Sequence, residues 1–249
     1  MAPSDEGAGM ADAMSGGEKL TVFVVFSPSG PLGHLPHQRE AWAIPRRYEK
    51  VNGGIPMIRL ATEADVPAML AIYAPYILTT TYTFEYEVPT EAEFLSRFRS
   101  VTEKFPWLVW EEDGKVLGYA YGSLPFERAA YSWCAEDSLY LCPEAKGRGI
   151  GKKLLLALEF FLQRQGYRKI YAIITAENTV SLDFHRKNGY LCTATFENCG
   201  YKFGRWLGVT WMEKKFPFVP FLGTFPTPFP VLMQTDEKIL HNLDTFSLP

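Results

Sequence analysis

The order of hydrophobic periodicities in the middle of the chain limits the folds that are open to it. Between Met57 and Lys215, short apolar runs typical of strands alternate with stretches in which apolar residues recur every three or four positions. The order is one strand, two helices, three strands, a helix, a strand, a helix and two strands. This order predicts a mixed α/β domain with a central twisted sheet flanked by helices.

Local signals mark where several of these elements begin. Thr62 is a cap for the first helix, and Thr90 with Glu93 three residues later forms a capping box for the second. Asp113 and Gly114 are typical of the tight turn that joins two antiparallel strands. The region between residues 106 and 124 is therefore predicted to be a hairpin.

The two ends of the chain differ from the middle in composition. Residues 1–56 mix Gly, Ser and Pro without a sustained period. Residues 216–249 contain a stretch with a proline every few positions, which argues against helix and central strand alike. We therefore expect a weakly structured N-terminal extension over 1–56, a folded domain over 57–215, and a weakly structured, Pro- and Phe-rich tail over 216–249.

Charge and hydropathy exclude several functional classes. The chain carries 25 Lys and Arg against 28 Asp and Glu, which predicts no strongly basic face for nucleic acid. No apolar stretch approaches the roughly 20 residues that span a bilayer. We expect a cytoplasmic protein with neither a nucleic-acid nor a membrane partner. We also expect no metal, because close C-x-x-C spacing is absent and free thiols in a reducing compartment are predicted. The cysteines are Cys134, Cys142, Cys192 and Cys199.

The stretch KGRGIGKK, residues 146–153, is the main candidate for binding a phosphate. A P-loop requires four residues between its first Gly and its Gly-Lys pair, whereas three separate Gly147 from Gly151. The dinucleotide fingerprint G-x-G-x-x-G is also a weak match. A third interpretation is a pyrophosphate cradle, in which glycine N–H groups, a helix start and nearby cations face the anion. For the loop taken alone, a glycine turn among solvated lysines is the structural alternative.

The loop and its surroundings resemble the GNAT superfamily of acetyl-CoA-dependent N-acetyltransferases. KGRGIG fits the family form Arg/Gln-Gly-x-Gly-Ile/Val-Gly/Ala, with Lys146 where Arg or Gln is usual. The element order over 57–215 is similar to the family fold, so this region is expected to be the N-acetyltransferase domain. RAAYSWCAEDSLYLCPEAKGRG and CGYKFGRWLGVTWMEK resemble the phosphinothricin and methionine sulfoximine acetyltransferase branch, with Gly208 at a position that is often Asp.

The resemblance implies acetyl-CoA as cosubstrate and assigns residues to it. Strand N–H groups are expected to pair with the pantetheine arm, and the loop and helix start to hold the pyrophosphate. Asn178 matches a family Asn that contacts the cofactor arm, and an ordinary helix N-cap is compatible with that role. The residues so assigned are Leu139, Tyr140, Leu141, Lys146, Gly147, Arg148, Gly149, Ile150, Gly151, Lys152 and Asn178.

The implied reaction is the attack of a primary amine on the thioester carbonyl. Glu136 stands where the branch has its proposed base, and burial would raise the pKa of such a carboxyl until it can take a proton from the substrate. His185 stands where many relatives have a Tyr that protonates the departing thiolate. A packed imidazole is an equal alternative for His185.

Four residues are assigned to the substrate. The Arg128 guanidinium suits an α-carboxylate, and the rings of Tyr131 and Trp206 could line a side-chain pocket, with core packing as their alternative. Lys202 is the fourth. These residues predict an N-acetyltransferase acting on the primary amine of small amino-acid-like substrates, of the phosphinothricin or methionine sulfoximine type. A homodimer is also expected.

Two other functions stay open at this point. A protein or peptide N-terminal acetyltransferase would share the fold, but a peptide N-terminus has no nearby free carboxylate for Arg128. A non-catalytic acyl-CoA-binding module would need the glycine loop but not Glu136.

Overall fold

The computed structural model describes residues 56–216 and 224–247. Residues 1–55 of the extension predicted over 1–56, and residues 217–223 and 248–249 of the predicted tail, lie outside the described residues. The strands in the described ranges are β1 Met57–Leu60, β2 Trp107–Glu112, β3 Lys115–Ser123, β4 Cys134–Leu141, β5 Lys169–Thr175, β6 Leu191–Lys202 and β7 Arg205–Lys215. The α-helices there are α1 Val66–Thr79, α2 Glu91–Thr102, α3 Ile150–Gln165, α4 Thr179–Lys187, α5 Phe229–Thr235 and α6 Asn242–Ser247.

The strands form one seven-stranded sheet in the order β1-β2-β3-β4-β5-β7-β6. Neighbouring strands are antiparallel except β4 and β5, which are parallel. The predicted mixed α/β architecture is therefore confirmed. The one parallel pair is where the chain crosses over through α3, as parallel neighbours require.

The sheet is covered by hydrophobic clusters on both faces. Residues of β2 alternate between them, as strand geometry dictates: Leu108 and Trp110 belong to the cluster with α3, and Trp107 and Val109 to the cluster with α1 and α2. Trp107 lies edge-on or tilted against two rings of α2 and stacks on Tyr121 of β3 with ring centroids 4.0 Å apart. The sheet is thus a central layer between helices.

Two of the three local signals are found where they were expected, whereas Thr62 is the N-cap of a 3-10 turn, Glu63–Asp65, and Asp65 is the N-cap of α1. The Thr90 side chain accepts from the backbone N–H of Glu93, and the capping box is complete at the start of α2. Asp113 and Gly114 have φ values of 51° and 73° and connect β2 to β3. The capping box of Thr90 and Glu93 and the turn at Asp113 and Gly114 are therefore confirmed.

Residues 224–247 pack against the sheet and α3, in contrast to the predicted weakly structured tail. Phe229, Ile239 and Leu243 are buried in the same cluster as α3. The expectation that prolines exclude a helix is wrong for α5, because Pro228 is its N-cap and Pro230 lies in its first turn, where no backbone N–H is needed. No helix in the described ranges has both the length and the apolar character required to cross a membrane.

Candidate active site

The parallel pairing of β4 with β5 stops early and leaves a gap between the two strands. The register runs from Cys134 to Glu136, whose partner is Tyr171, while β5 continues alongside β7 as far as Thr175. The residues of β4 beyond Glu136 keep partners on β3. Their other edge is free of strand pairing among the described residues, and such an edge can accept main-chain hydrogen bonds from a ligand. The predicted cofactor residues Leu139, Tyr140 and Leu141 lie on it.

The glycine loop leads from β4 into α3. Gly147 and Gly149 adopt left-handed φ values of +75° and +79°, and a Cβ atom built on either would meet no atom within 4 Å. Gly149 is the N-cap of α3, so the N–H groups of Ile150, Gly151 and Lys152 belong to a first helical turn and have no carbonyl one turn before them. The loop therefore has open space and unpaired donors suited to an anion.

The cations of the loop differ in their contacts. Arg148 donates from Nη2 to both carboxylate oxygens of Glu112, at 2.9 and 2.7 Å. The Lys146 ammonium lies 5.0 Å from the centre of the Tyr76 ring. Lys152 is exposed. The guanidinium of Arg148 is thus partly neutralised by Glu112.

Glu136 occupies the last residue pair before the gap. Burial, and secondarily the charge of Asp137, raise the pKa of Glu136 from 4.5 to about 8. A carboxylate with this pKa exchanges protons near neutral pH, which suits a general base acting on an ammonium group. The open edge of β4 begins directly after Glu136, and the glycine loop follows the carboxyl end of the same strand.

The sequence profile of the family described as "Acetyltransferase (GNAT) domain" matches residues 58–211. The chain belongs to the GNAT acetyltransferase family. It is 37% identical over 159 residues to phosphinothricin N-acetyltransferase from Alcaligenes faecalis, covering 63% of this chain and 81% of that protein. It is 37% identical over 164 residues to L-methionine sulfoximine/L-methionine sulfone acetyltransferase from Pseudomonas paraeruginosa, covering 63% of this chain and 92% of that protein.

A solved structure gives the same result for the fold. The GNAT superfamily phosphinothricin acetyltransferase from Sinorhizobium meliloti, in complex with AcCoA, matches with a TM-score of 0.64 and 36% identity, covering 70% of this chain and 94% of that one. The predicted N-acetyltransferase class is confirmed, and GNAT acetyltransferases bind acetyl-CoA. Within the residues that the structure describes, no group of three or more His, Cys, Asp or Glu is arranged to hold a metal ion.

Asn178 lies on the β5 side of the gap in this GNAT acetyltransferase. Its side-chain oxygen accepts from the backbone N–H of Ser181 at 3.1 Å and caps α4. The N-cap function is therefore present, and contact with the cofactor arm stays a prediction.

His185 is buried on α4 with both ring nitrogens engaged. Nδ1 lies 2.8 Å from the carbonyl oxygen of Ser181, and Nε2 lies 3.0 Å from Oδ2 of Asp137. This is the packed imidazole that the sequence left as the alternative, and it argues against proton delivery to a thiolate. Sequence reasoning missed Asp137, although an acid inside an apolar strand next to the predicted base was a usable signal.

Lys202 is a buried residue at the end of β6, with 2% of its surface exposed. Its ammonium donates to the carbonyl oxygens of Thr80 and Thr83 at 2.9 and 2.7 Å, and burial lowers its pKa. The predicted contact with substrate conflicts with this geometry, because the ammonium already holds the connection between α1 and α2.

The other predicted substrate residues lie on two separate elements. Arg128 is exposed and directly precedes the 3-10 turn Ala129–Tyr131 before β4. The Tyr131 ring packs 4.6 Å from Phe126. Trp206 is 63% exposed near the tip of the β6–β7 hairpin. The structure therefore brings Arg128 and Tyr131 together and leaves Trp206 elsewhere, and their contacts with substrate stay predictions.

Sequence reasoning also missed an ion pair on the face of the sheet that carries Glu136. Nη1 of Arg97 on α2 lies 2.6 Å from Oε1 of Glu85. Burial raises the pKa of the Tyr121 hydroxyl most; the charges of Glu136 and Glu85 raise it further, and Arg97 lowers it. All three charges therefore act on one hydroxyl group. No short motif contains Glu85 and Arg97, so only the fold reveals the pair.

Proposed function

We propose that this GNAT acetyltransferase transfers an acetyl group from acetyl-CoA to the α-amine of small amino-acid-like substrates of the phosphinothricin or methionine sulfoximine kind. The proposal rests mainly on the position of Glu136. Its carboxyl group has a raised pKa and lies where the pairing of β4 with β5 ends. The activities named for the two similar curated proteins support the substrate class.

Different residues around the gap bind the cosubstrate and transfer the proton. When bound, acetyl-CoA supplies an acetyl group activated as a thioester. The free edge of β4 pairs with its amide-bearing arm, and the N–H groups from Gly147 to Lys152 hold its pyrophosphate. Glu136 accepts a proton from the substrate ammonium through water, so that the amine becomes nucleophilic beside the thioester carbonyl.

Substrate recognition is assigned to the connection before β4. Arg128 is exposed there and presents a planar fork for an α-carboxylate, and Tyr131 supplies an adjacent aromatic surface. Trp206 contributes a second exposed ring from the β6–β7 hairpin. A cavity of about 360 Å³ lies beside this hairpin and is lined by Thr79, Thr80, Thr81, Tyr82, Glu177, Phe203 and Arg205.

A homodimer and a cytoplasmic location complete the proposal. The edge strand β6 and its hairpin expose the rings of Phe196, Tyr201, Phe203 and Trp206, an apolar surface of the kind that is covered by a partner. The four cysteines are free thiols, which fits a reducing compartment. Sedimentation of the purified chain tests the dimer.

The test of the proposed function is an amine screen that records thiol release from acetyl-CoA. Phosphinothricin, methionine sulfoximine, their amides and a short peptide form the panel. We expect acetylation of the free amino acids and a loss of about one to two powers of ten in kcat/KM for the amides, because a charge-assisted contact to Arg128 is lost.

The base is tested with a matched pair of variants. Glu136→Gln should lower kcat by about 10² to 10⁴ with acetyl-CoA affinity retained. Glu103→Gln, at an exposed site after α2, should behave like the parent enzyme. Efficient acetylation of the peptide without any amino-acid product would favour an N-terminal acetyltransferase. Acetyl-CoA binding without turnover on any amine would favour a binding module.

A further inference from the structure

Asp137 follows the predicted base but points to the other face of β4, since successive strand residues alternate. It is buried, with 7% of its surface exposed. Oδ2 pairs with Nε2 of His185, and Oδ1 accepts from the hydroxyl of Tyr190, both at 3.0 Å. The reaction proposed above uses none of these three side chains.

The hydrogen-bond geometry identifies the protonation state of the pair. Nδ1 of His185 faces the carbonyl oxygen of Ser181, which can only accept, and Nε2 faces a carboxylate oxygen of Asp137. Nδ1 therefore donates to this carbonyl oxygen, with the Ser181 hydroxyl 3.3 Å from the same nitrogen. With Asp137 ionised, Nε2 donates as well, and an imidazole with two N–H groups is a cation; the raised pKa of His185, for which burial is outweighed by Asp137, agrees with this charge state. The pair is a buried imidazolium and carboxylate.

The position of the pair in the sheet gives it a function. The β4–β5 ladder ends with Glu136 and Tyr171, and Asp137 is the next residue. Beyond this point, the Asp137 side chain links β4 to His185 on α4 and to Tyr190 in the connection between α4 and β6. Asn178, the N-cap of α4, is part of the same helix.

We propose that Asp137 and His185 are a positioning pair that holds α4 against β4 and sets the width of the gap in which Glu136 works. The inference rests on the proposed function for its kinetic readout. Removing either partner leaves a buried charge without its counter-charge. This is strongly destabilising, so we expect the packing of α4 against β4 to change.

Further charged groups lie near the pair and near Glu136. On the side of the pair, Glu159 of α3 accepts from Lys214 of β7 at 2.6 Å. Burial lowers the pKa of His185, but Asp137 and, less strongly, Glu159 raise it overall; burial, then the charges of Asp137 and Glu159, raise the pKa of Tyr190. On the side of Glu136, Tyr121 is the neighbouring titratable group, with Glu85 and Arg97 beyond it. None of these further groups is altered by the variants below.

The kinetic test compares two substitutions that change the charge in opposite directions. Asp137→Asn removes a negative charge and should move the midpoint of the kcat/KM–pH profile to lower pH by about 0.5 or more. His185→Gln removes a positive charge and should move it to higher pH. In both variants kcat should fall by about ten- to a hundredfold, as expected for a misplaced catalytic group. The matched control is Asp183→Asn, which breaks the exposed ion pair with Arg186 on the same helix and should leave all values unchanged.

Two readouts do not depend on turnover. In the parent enzyme, nitrogen NMR should show both ring nitrogens of His185 protonated at pH 7.5, and a neutral imidazole would overturn the proposal. Acetyl-CoA affinity, measured by calorimetry, should fall several-fold in Asp137→Asn but not in Asp183→Asn. If Asp137→Asn and His185→Gln fold and keep the parental pH midpoint and kcat, the proposed positioning function of the pair is also overturned. A parent that acetylates no amino-acid analogue would overturn the proposed function alone, because both of these readouts remain.

Discussion

The Lys202 ammonium lies 2.7 Å from the carbonyl oxygen of Thr83 and ties the β6–β7 hairpin to the connection between α1 and α2. The same connection is held by the Tyr86 hydroxyl, which donates to the carbonyl oxygen of Tyr201. Gly200 permits this approach, because a Cβ atom there would lie 2.2 Å from the ring of Phe84. Glu85 is therefore carried by a segment that the hairpin anchors.

Lys202→Met is expected to reduce the free energy of unfolding by about 1–3 kcal/mol, because the part-buried carbonyl oxygens of Thr80 and Thr83 lose their donor. Urea unfolding measures this change. The control is Lys215→Met, whose side chain is 74% exposed and should change stability by less than about 0.5 kcal/mol. If Lys202 instead contacts substrate, the variant will keep parental stability and change only the KM for the amine.

Gly149→Val is expected to weaken acetyl-CoA binding by at least about tenfold, because a β-branched residue is strained at a φ of +79° and the loop before α3 must change shape. Calorimetry with acetyl-CoA measures the affinity. Gly204→Val is the matched control, since Gly204 has a φ of +78° and equally open surroundings in the β6–β7 hairpin. Equal affinities for the two variants would show that the loop does not hold the cofactor.

The raised pKa of Glu136 predicts a pH-dependent cost to stability. The folded state keeps this proton up to a pH of about 8, whereas the unfolded state loses it near 4.5. Stability therefore falls as pH rises through this window, and the cost is absent below it. The Tm of Glu136→Gln relative to the parent should increase between pH 4.5 and 8. For the control Glu103→Gln, the difference in Tm from the parent should not depend on pH. If the difference in Tm for Glu136→Gln is equally independent of pH, the raised pKa is contradicted.

Phe229→Ala is expected to lower the free energy of unfolding by about 3–5 kcal/mol, because the ring is 6% exposed and packs edge-on against Phe161 of α3. Phe225→Ala is the control: this ring is 62% exposed and stacks on Trp133, so its removal should cost far less. Denaturant unfolding compares the two. Similar small losses for Phe229→Ala and Phe225→Ala would restore the interpretation of residues 216–249 as a weakly structured tail.

The parts of the fold that depend on local chemistry could be predicted from the sequence. The capping box of Thr90 with Glu93 and the turn at Asp113 and Gly114 involve only residues that are close in the sequence. Their sequence patterns therefore predict the local structure directly. Glu136 could be placed because the resemblance covered its surroundings. Its raised pKa was expected from burial, and burial is its first cause in the structure.

The rest depends on partners that are distant in the sequence. Lys202 contacts carbonyl oxygens 119 and 122 positions away, and Asp137 pairs with a residue 48 positions away. No periodicity records such contacts, so Lys202 was assigned to substrate from its place in the run CGYKFGRW, which resembles the family. For Phe229, proline content indicated irregular structure, but burial against α3 decided the outcome.

The packing of α5 and α6 against α3 also determines when this protein can finish folding during translation. Ribosomes deliver the chain from its N-terminus, so the strands of the catalytic gap emerge before Phe229 and Leu243. Until those two side chains arrive, the apolar surface that they cover is open to water and to other nascent chains. Chaperone dependence should therefore concentrate in the interval between synthesis of β7 and synthesis of α6.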